Sequence, residues 1–477
     1  IFLQINGSGI YTNQKNDFNK IILKKLIVNI MKNFFTILLY SAAVFLMFIN
    51  EAALQPSTAN QDMWVGNNSI RTIAVDGDYT YIGGDFTYIG YNSGGGVKVT
   101  STSYTPDINF PKVAGLVYAV APDGNGGWYI GGSFVKVGNY TRNRIAHINS
   151  DGTVDATWNP NANNTVYSIV VSGSNVYAGG NFTSIGGLTR NRLAKLINTN
   201  GSADAAFTSN ANSFVFSIAI SGADIYAAGN FTTIGGQSRN YLAKLNSTTG
   251  TVDATWIPNP NNLINAVVVN GSDIYTVGSF TSIGGLSRNR IAKLNNTNGN
   301  ADATWNANLT VGGVNTITIN GTDVFVGGSF TTIGGQTRNG LAKLNITNGS
   351  LDATWNPNVA GGGVNAIAVI GTDIFVAGFF TSVGGQTRNN IAKLNNTNGS
   401  ADASWSLNTG AIVNAIAVNG TDIYVGGNFS STGGRIRNYI AKLNNLTGQL
   451  DTTWNPNANS SVYSIVVNGT DIYVSGG

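Results

Sequence analysis

The chain has no cysteine, a single histidine and a single glutamate, and only 10 % of its 477 residues are charged. Without cysteine there is no disulfide framework, no thiolate metal site and no acylated lipoprotein anchor. With His147 as the one imidazole, no ligand set for zinc or copper can be assembled. No EF-hand-like calcium loop is present either. The expectation is a protein with no metal and no cofactor. Glu51 lies in an apolar N-terminal region, so the acids of the rest of the chain are all Asp. A sequence pI near 9 suggests a polyanion binder, but the excess is local. Residues 1–53 carry five Lys against Asp17 and Glu51, and the remainder holds 21 basic and 20 acidic groups. A nucleic-acid binder carries its charge in the folded part, so that class is set aside.

Apolar runs are scarce as well. Residues 1–30 do not begin with Met and show no organised pattern, and they read as an upstream segment outside the translated protein. From Met31 the sequence runs "MKNFFTILLYSAAVFLMFINEAALQ", a short positive start followed by the apolar stretch Phe34–Ile49. That stretch is shorter than the roughly 20 residues of a membrane-spanning helix. Residues 31–53 therefore read as a secretory signal rather than a membrane anchor. No sustained 3.6-residue period appears downstream, so helices should be rare.

What dominates the rest is repetition. The Arg of a "GGxxRN" signature falls at Arg142, Arg190, Arg239, Arg288, Arg338, Arg388 and Arg437. A Phe precedes it at Phe134, Phe182, Phe231, Phe280, Phe330, Phe380 and Phe429. An aromatic closes each unit at Trp158, Phe207, Trp256, Trp305, Trp355, Trp405 and Trp454. A period of about fifty residues means a repeat architecture. In the unit beginning at Val364, "VNAIAV" and "IFVAGFF" flank the turn "IGTD". The Gly of the second run marks a bulge or a close backbone approach. "SVGGQT" then leads to "NNIAKLN", and "NTNGS" leads into a closing segment of the "LDATW" type.

Four short antiparallel strands per unit predict an all-β fold, a β-propeller of four-stranded blades. A β-solenoid is the alternative, but its coils are much shorter. First strands start at residues 70, 117, 166, 215, 264, 314, 364 and 413, with a partial unit at 462. The propeller is thus placed over 64–477. The expected count is eight blades, with seven or nine as alternatives. The first unit is atypical, with "YNSGGGVKVTSTSYTPDINF" where its Arg motif should be, and the unit at 462 stops before its third and fourth strands. The reading is of a ring cut short at its C-terminus.

The repeated "GGNFTSIGGLTRNRLAKLI" and "GGRIRNYIAKLNNLTGQLDTTWNPN" resemble the delta-sixty repeat, a bacterial β-propeller family of unknown function, over residues 64–477. The resemblance implies a secreted or cell-surface protein, often large. It implies no reaction and no ligand-binding residue.

Repetition also decides how the polar residues are read. Asp recurs at the start of the second strand (Asp224, Asp273, Asp323, Asp373, Asp422, Asp471) and before the closing aromatic (Asp155, Asp204, Asp253, Asp302, Asp352, Asp402, Asp451). A glycosidase needs two carboxylates in different environments. Carboxylates copied this often read as turn and fastening residues, and no catalytic residue is assigned. His147 replaces the Lys of the I/L-A-K-L strand (Lys195, Lys244, Lys293, Lys343, Lys393, Lys442) and reads as a tolerated substitution. Each repeated Arg, from Arg190, Arg239, Arg288, Arg338 and Arg388 to Arg437, precedes such an Asp, which suggests a bidentate pair. The other reading is a ring of guanidinium groups gripping an anionic polymer. The recurring Trp256, Trp305, Trp355, Trp405 and Trp454 read as packing between blades rather than sugar platforms.

Binding is expected on the face with the second-to-third and fourth-to-first loops, where units differ. The differing positions are Leu188, Gln237, Leu286, Gln336, Gln386 and Arg435, then Arg144, Arg192, Tyr241, Arg290, Gly340, Asn390 and Tyr439. Of these, Arg144, Arg192, Tyr241, Arg290, Gln336, Gln386, Asn390, Arg435 and Tyr439 are the candidate recognition residues. The functional expectation is a non-catalytic, exported propeller acting as a protein-binding or adhesion scaffold. Alternatives are a lectin-like propeller and the targeting module of a larger polysaccharide-acting enzyme. The partner is an unknown surface protein or glycan, with no nucleic acid, and no membrane beyond the signal segment.

Overall fold

Alternating β-branched and aromatic runs punctuated by Gly-containing turns give a chain of short antiparallel strands. The structure is a computed structural model. It describes residues 111–476 in full and, before them, the backbone of Phe2–Asn6, Gly9–Ile10, Val65–Gly66, Ile70–Asp76, Tyr79–Gly84, Ile89–Gly90 and Gly94–Thr100. Residues 11–64, with the expected signal segment, lie outside the described residues. Among the described residues there is no helix, and none long and apolar enough to cross a membrane.

Two compact units divide the chain, Ile1–Asn92 and Ser93–Gly477. In the first, a sheet runs Gly9–Ile10, Phe2–Asn6, Tyr79–Gly84, Ile70–Asp76, all antiparallel. The strand pair from the repeat at Ile70 therefore belongs to this unit and not to the larger one.

In the larger unit each repeat forms the same small sheet. For the Val314 repeat it consists of Val314–Asn320, Asp323–Gly328 and Leu341–Asn345. The link between the last two strands holds a miniature hairpin, Thr332–Ile333 against Gln336–Thr337. The expected fourth strand shrinks to a single bridge, Leu344↔Leu351. The cause is local: Asp352 takes the N–H groups of Thr354 and Trp355 on its carboxylate, drawing the backbone into a turn instead of a ladder.

A β-bulge sits at the same place in every first strand. In the Val364 repeat it falls between Val364 and Ala366, opposite Gly378. A Cβ on Gly378 would sit on the carbonyl oxygen of Gly363, so only glycine allows the strands to close there. The glycine signal in the sequence marks both a bulge and a close approach.

Both faces of each sheet are covered, because the apolar core lies between neighbouring repeats. One cluster joins Tyr275, Val277 and Ile291 of one repeat to Trp305, Val314, Val324 and Phe330 around the next. The others follow the same plan. The last of these packing layers unites the two ends of the unit, with Tyr473 among Val113, Val117 and Trp128. The final strand pair, Val462–Asn468 and Asp471–Gly476, also finds a third strand. It comes from Gly94–Thr100, which pairs antiparallel with Asp471–Gly476, Asp471 opposite Thr100 and Val474 opposite Val97. Elsewhere that place is taken by the "IAKLN" strand, with Asp422 opposite Asn444. The segment read as an atypical loop of the first repeat is thus the third strand of the last.

Candidate functional site

The repeated polar residues act on one another and on backbone, and their geometry decides which remain for a ligand. Each signature Arg is buried, at 4 to 7 % exposure. It does not meet the Asp carboxylate. Arg288 donates from Nη1 to the Ser287 carbonyl, from Nη2 to those of Asp302 and Ala303, and from Nε to that of Trp305. Arg190 and Arg338 donate in the same way to the carbonyls of Asp204 with Ala205 and Asp352 with Ala353. Arg142, Arg239, Arg388 and Arg437 hold the carbonyls of Asp155, Asp253, Asp402 and Asp451. The expected bidentate Arg–Asp pair is therefore an Arg–carbonyl clamp. The Nη groups are spent inside the fold, and of the seven buried Nε groups that of Arg288 alone finds a partner.

The carboxylates belong instead to the Lys of the third strand. Lys293 Nζ lies 3.0 Å from Asp273 and 3.3 Å from Asp302. Lys244, Lys343, Lys393 and Lys442 bridge the corresponding pairs, Asp224 with Asp253, Asp323 with Asp352, Asp373 with Asp402 and Asp422 with Asp451. Several of these ammonium groups also donate across to the next repeat, as Lys244 does to the Asn296 carbonyl at 2.9 Å. Burial opposes ionisation of Asp302, yet hydrogen bonds from Thr304 and Trp305, with that from Lys293, hold its carboxyl below the usual range. The same balance holds for Asp253, Asp352 and Asp451. For Asp204 the Lys195 bond leads, and for Asp402 the Ser404 hydroxyl.

His147 occupies this cationic place in the Val117 repeat. Its Nδ1 is 3.0 Å from Asp155 and its Nε2 3.0 Å from Asp123, and the ring stacks on Tyr129 at 4.4 Å. Burial works against the Asp155 carboxylate, but the His147 bond followed by those of Thr157 and Trp158 brings it down to about 2. His147 thus takes the place of the Lys, with its two ring nitrogens engaged by Asp155 and Asp123.

The closing aromatics are fully buried. Trp256 meets Tyr226 edge-on at 5.4 Å and donates its indole N–H to the Asn295 carbonyl of the following repeat at 2.9 Å. Trp305 and Trp355 do the same to Asn345 and Asn395, and Trp158 and Trp405 to Ile197 and Asn444. With both faces covered, these rings offer no platform to a sugar.

The differing positions fall into two sets. Gln336, Gln386 and Arg435 lie exposed on the miniature hairpins, as Gln237 does. The residue after "RN" is left-handed in every repeat: Arg144 (φ 63), Arg192 (φ 64), Tyr241 (φ 61), Arg290 (φ 63), Gly340 (φ 66), Asn390 (φ 66) and Tyr439 (φ 64). Six non-glycine residues in that region are unusual for side chains of this size. Their side chains reach different surroundings. Arg290 donates to the Thr310 carbonyl in the next interrepeat loop, and Arg144 to Asn143. Asn390 is buried and bonded to Phe380 and Thr409, which removes it from a ligand surface. Tyr241 and Tyr439 pack on the cores beside them.

One set of positions escaped the reading of the sequence. In the Ser93–Gly477 unit the bulge leaves one residue of each first strand unpaired: Tyr118, Tyr167, Phe216, Asn265, Asn315, Asn365, Asn414 and Tyr463. Tyr118 is 43 % and Tyr463 49 % exposed. The available signal was an aromatic-or-Asn residue directly after each strand's first β-branched residue, a place where strict alternation predicts nothing special. Among the described residues, no group of three or more His, Cys, Asp or Glu could hold a metal ion.

Seven segments, 124–157, 175–207, 224–255, 273–304, 324–354, 373–404 and 422–453, match the family model described as a domain of unknown function (DUF5122) beta-propeller. No curated protein matches the chain. Among solved structures, the computationally designed Ika8 protein is similar at a TM-score of 0.52 and 12 % identity, over 76 % of this chain and 96 % of that one. BamB from Moraxella catarrhalis gives 0.48 and 15 %, over 74 % and 92 %. The WD40 beta propeller domain of Doa1 gives 0.40 and 10 %, over 66 % and 93 %. At such identities likeness speaks to architecture alone, and only the designed protein's score is high enough to count there.

Proposed function

We propose, for a chain that belongs through its seven matched repeats to the DUF5122 β-propeller family, a non-catalytic scaffold that binds a protein partner. We place it at or outside the cell surface. The export reading rests on the apolar stretch after Met31. Eight blades follow if Gly94–Thr100 is counted as the third strand of the last. The observation that carries the proposal is how the repeated chemistry is used. Arg, Lys, Asp and Trp, the groups an enzyme would draw on, are committed to carbonyl clamps, ion bridges and interrepeat packing. Variation is concentrated on the hairpins and the left-handed positions, where loops of neighbouring repeats meet. Constant fastening with variable display is the arrangement of a binding scaffold.

The test uses the labelled whole chain on cells of its source, untreated or treated with protease or periodate. Saturable binding that protease abolishes, and that falls at least about tenfold when Arg144, Arg192, Arg290 and Arg435 are changed together to Ala, supports the reading. No saturable binding, or turnover of a surface polymer, overturns it. A carbohydrate-binding role is the second reading, and the half-exposed Tyr118 and Tyr463 favour it.

A further inference from the structure

The eight bulge residues of the Ser93–Gly477 unit stand at one equivalent place, on first strands that neighbour each other around the unit. Several of their side chains meet from repeat to repeat. The Asn315 amide donates to Asn365 Oδ1 at 3.3 Å and to the Val364 carbonyl. Asn365 and Asn414 donate onward to the Val413 and Val462 carbonyls. On the other side, the Tyr118 and Tyr167 rings lie 5.8 Å apart, and Tyr167 and Phe216 also 5.8 Å. Phe214 widens the arc, stacked on Phe216 at 5.9 Å. The Val462 first strand adjoins the Val117 one, so Tyr463 continues the aromatic run.

The ring is therefore divided. Four consecutive repeats contribute Tyr463, Tyr118, Tyr167 and Phe216, and the four opposite contribute Asn265, Asn315, Asn365 and Asn414. A bulge exists in each strand, so the fold has no need of aromatics here, and the Asn repeats show that the position folds without them. Bulges commonly re-aim a side chain out of the sheet. Tyr118 and Tyr463, left about half in water, lose favourable burial until something covers them.

We propose that this ring is a binding site for a neutral oligosaccharide. The inference rests on the carbohydrate-binding reading given above, for which it names the site and the ligand class, and is independent of the protein-binding one. No charged side chain occupies any of the eight positions, which leaves nothing there to select an ion. Sugar rings have apolar C–H faces that cover Tyr and Phe, and hydroxyls that amide groups can satisfy. A site with apolar walls and a few converging polar groups is the usual form of a small-molecule pocket. The first strands begin at the loop-rich end, where their bulges lie, since Val314 pairs with Gly328 just before the miniature hairpin. The ring thus opens on the face where the repeats differ.

The experiment is calorimetric titration of the whole chain with cellohexaose, maltohexaose, mannohexaose and chitohexaose, and with hexagalacturonate as the charged comparison. At least one neutral hexaose should bind with a dissociation constant at or below about 1 mM. Tyr118→Ser and Tyr463→Ser should each weaken it about fivefold or more, with the thermal midpoint unchanged because both rings are half exposed. Tyr167→Asn, which inserts the residue used by the opposite repeats, serves as a folded third variant. Absence of binding to all four neutral sugars overturns the inference. So does binding that ignores all three substitutions, or binding of hexagalacturonate alone that depends on Arg144, Arg192 and Arg290. Each of these leaves the cell-binding assay free to succeed or fail separately.

Discussion

Separating the Arg clamp from the Lys bridge is a matter of a double-mutant cycle in the Ile264 repeat. Arg288→Met removes a buried guanidinium that serves four carbonyls. The two contacts of Nη2 share one nitrogen, and the contact to Ser287 is to the adjacent residue, so two to three independent charge-assisted bonds are lost. At roughly 1.5–2 kcal/mol each, the loss is about 3–6 kcal/mol. Asp302→Asn keeps an oxygen for the Thr304 and Trp305 N–H groups and weakens the bridge to Lys293, so about 1 kcal/mol is expected. Combined with Arg288→Met it should add to within about 0.5 kcal/mol, because Arg288 holds the backbone of residue 302 and not its carboxylate. Combined with Lys293→Met it should deviate by about 1 kcal/mol. The assay is urea denaturation followed by tryptophan fluorescence, with hydrogen exchange of the repeat as a local check. Coupling above about 1.5 kcal/mol between Arg288 and Asp302, with none between Lys293 and Asp302, would refute the clamp.

Trp305→Ala should cost about 3–5 kcal/mol by cavity formation, and Trp305→Phe only about 1–2 kcal/mol, since Phe207 fills the same buried place in another repeat; thermal melts decide. Gly284→Ala combines a φ of 59° with a Cβ driven into the Ala301 backbone, whereas Gly285→Ala meets open space at φ 80°. The second should cost about 1 kcal/mol and the first at least twice that in the same denaturation assay. In acid, the Asp155 carboxyl sits at about 2 in the fold against about 3.9 unfolded. A lowered folded pKa stabilises above the unfolded value, so its contribution is complete above about pH 4 and lost as pH falls toward 2. Asp253, Asp302, Asp352 and Asp451 shift the same way, and stability measured from pH 5 to 2 should fall steeply, while Asp155→Asn flattens part of that slope. Val97→Pro removes a donor from the strand paired with Val474. It should raise exchange of the Asp471–Gly476 amides at least about tenfold while leaving those of Asp323–Gly328 unchanged.

The sequence alone determined whatever repeats. An aromatic closing each unit, a Gly at or next to the end of each second strand and a recurring Arg imply one local environment built many times, and hence a propeller of short strands. Repetition also gave Trp305 and Asp302 a structural reading, because one site does not need seven copies, and in the fold both are engaged, by the Asn345 carbonyl and by Lys293. Tertiary structure was required wherever partners come from outside the local run. Arg288 and Asp302 are fourteen residues apart in either account, and nothing in their order says whether the guanidinium reaches the carboxylate or the carbonyl of the same residue. Only the third-strand geometry shows that Lys293 holds the carboxylate, and that His147 stands in for such a Lys. The bulge that singles out Tyr118 and Asn315 breaks the two-residue period on which strand reading depends, so their shared ring was invisible until the strands were paired. Gly94–Thr100 looked like a faulty repeat because its hydrogen-bonding partner, Asp471–Gly476, lies at the other end of the chain. A local pattern follows from the chemistry of neighbouring residues, but the pairing of distant ones is set by which backbone edges remain open when the ring comes together.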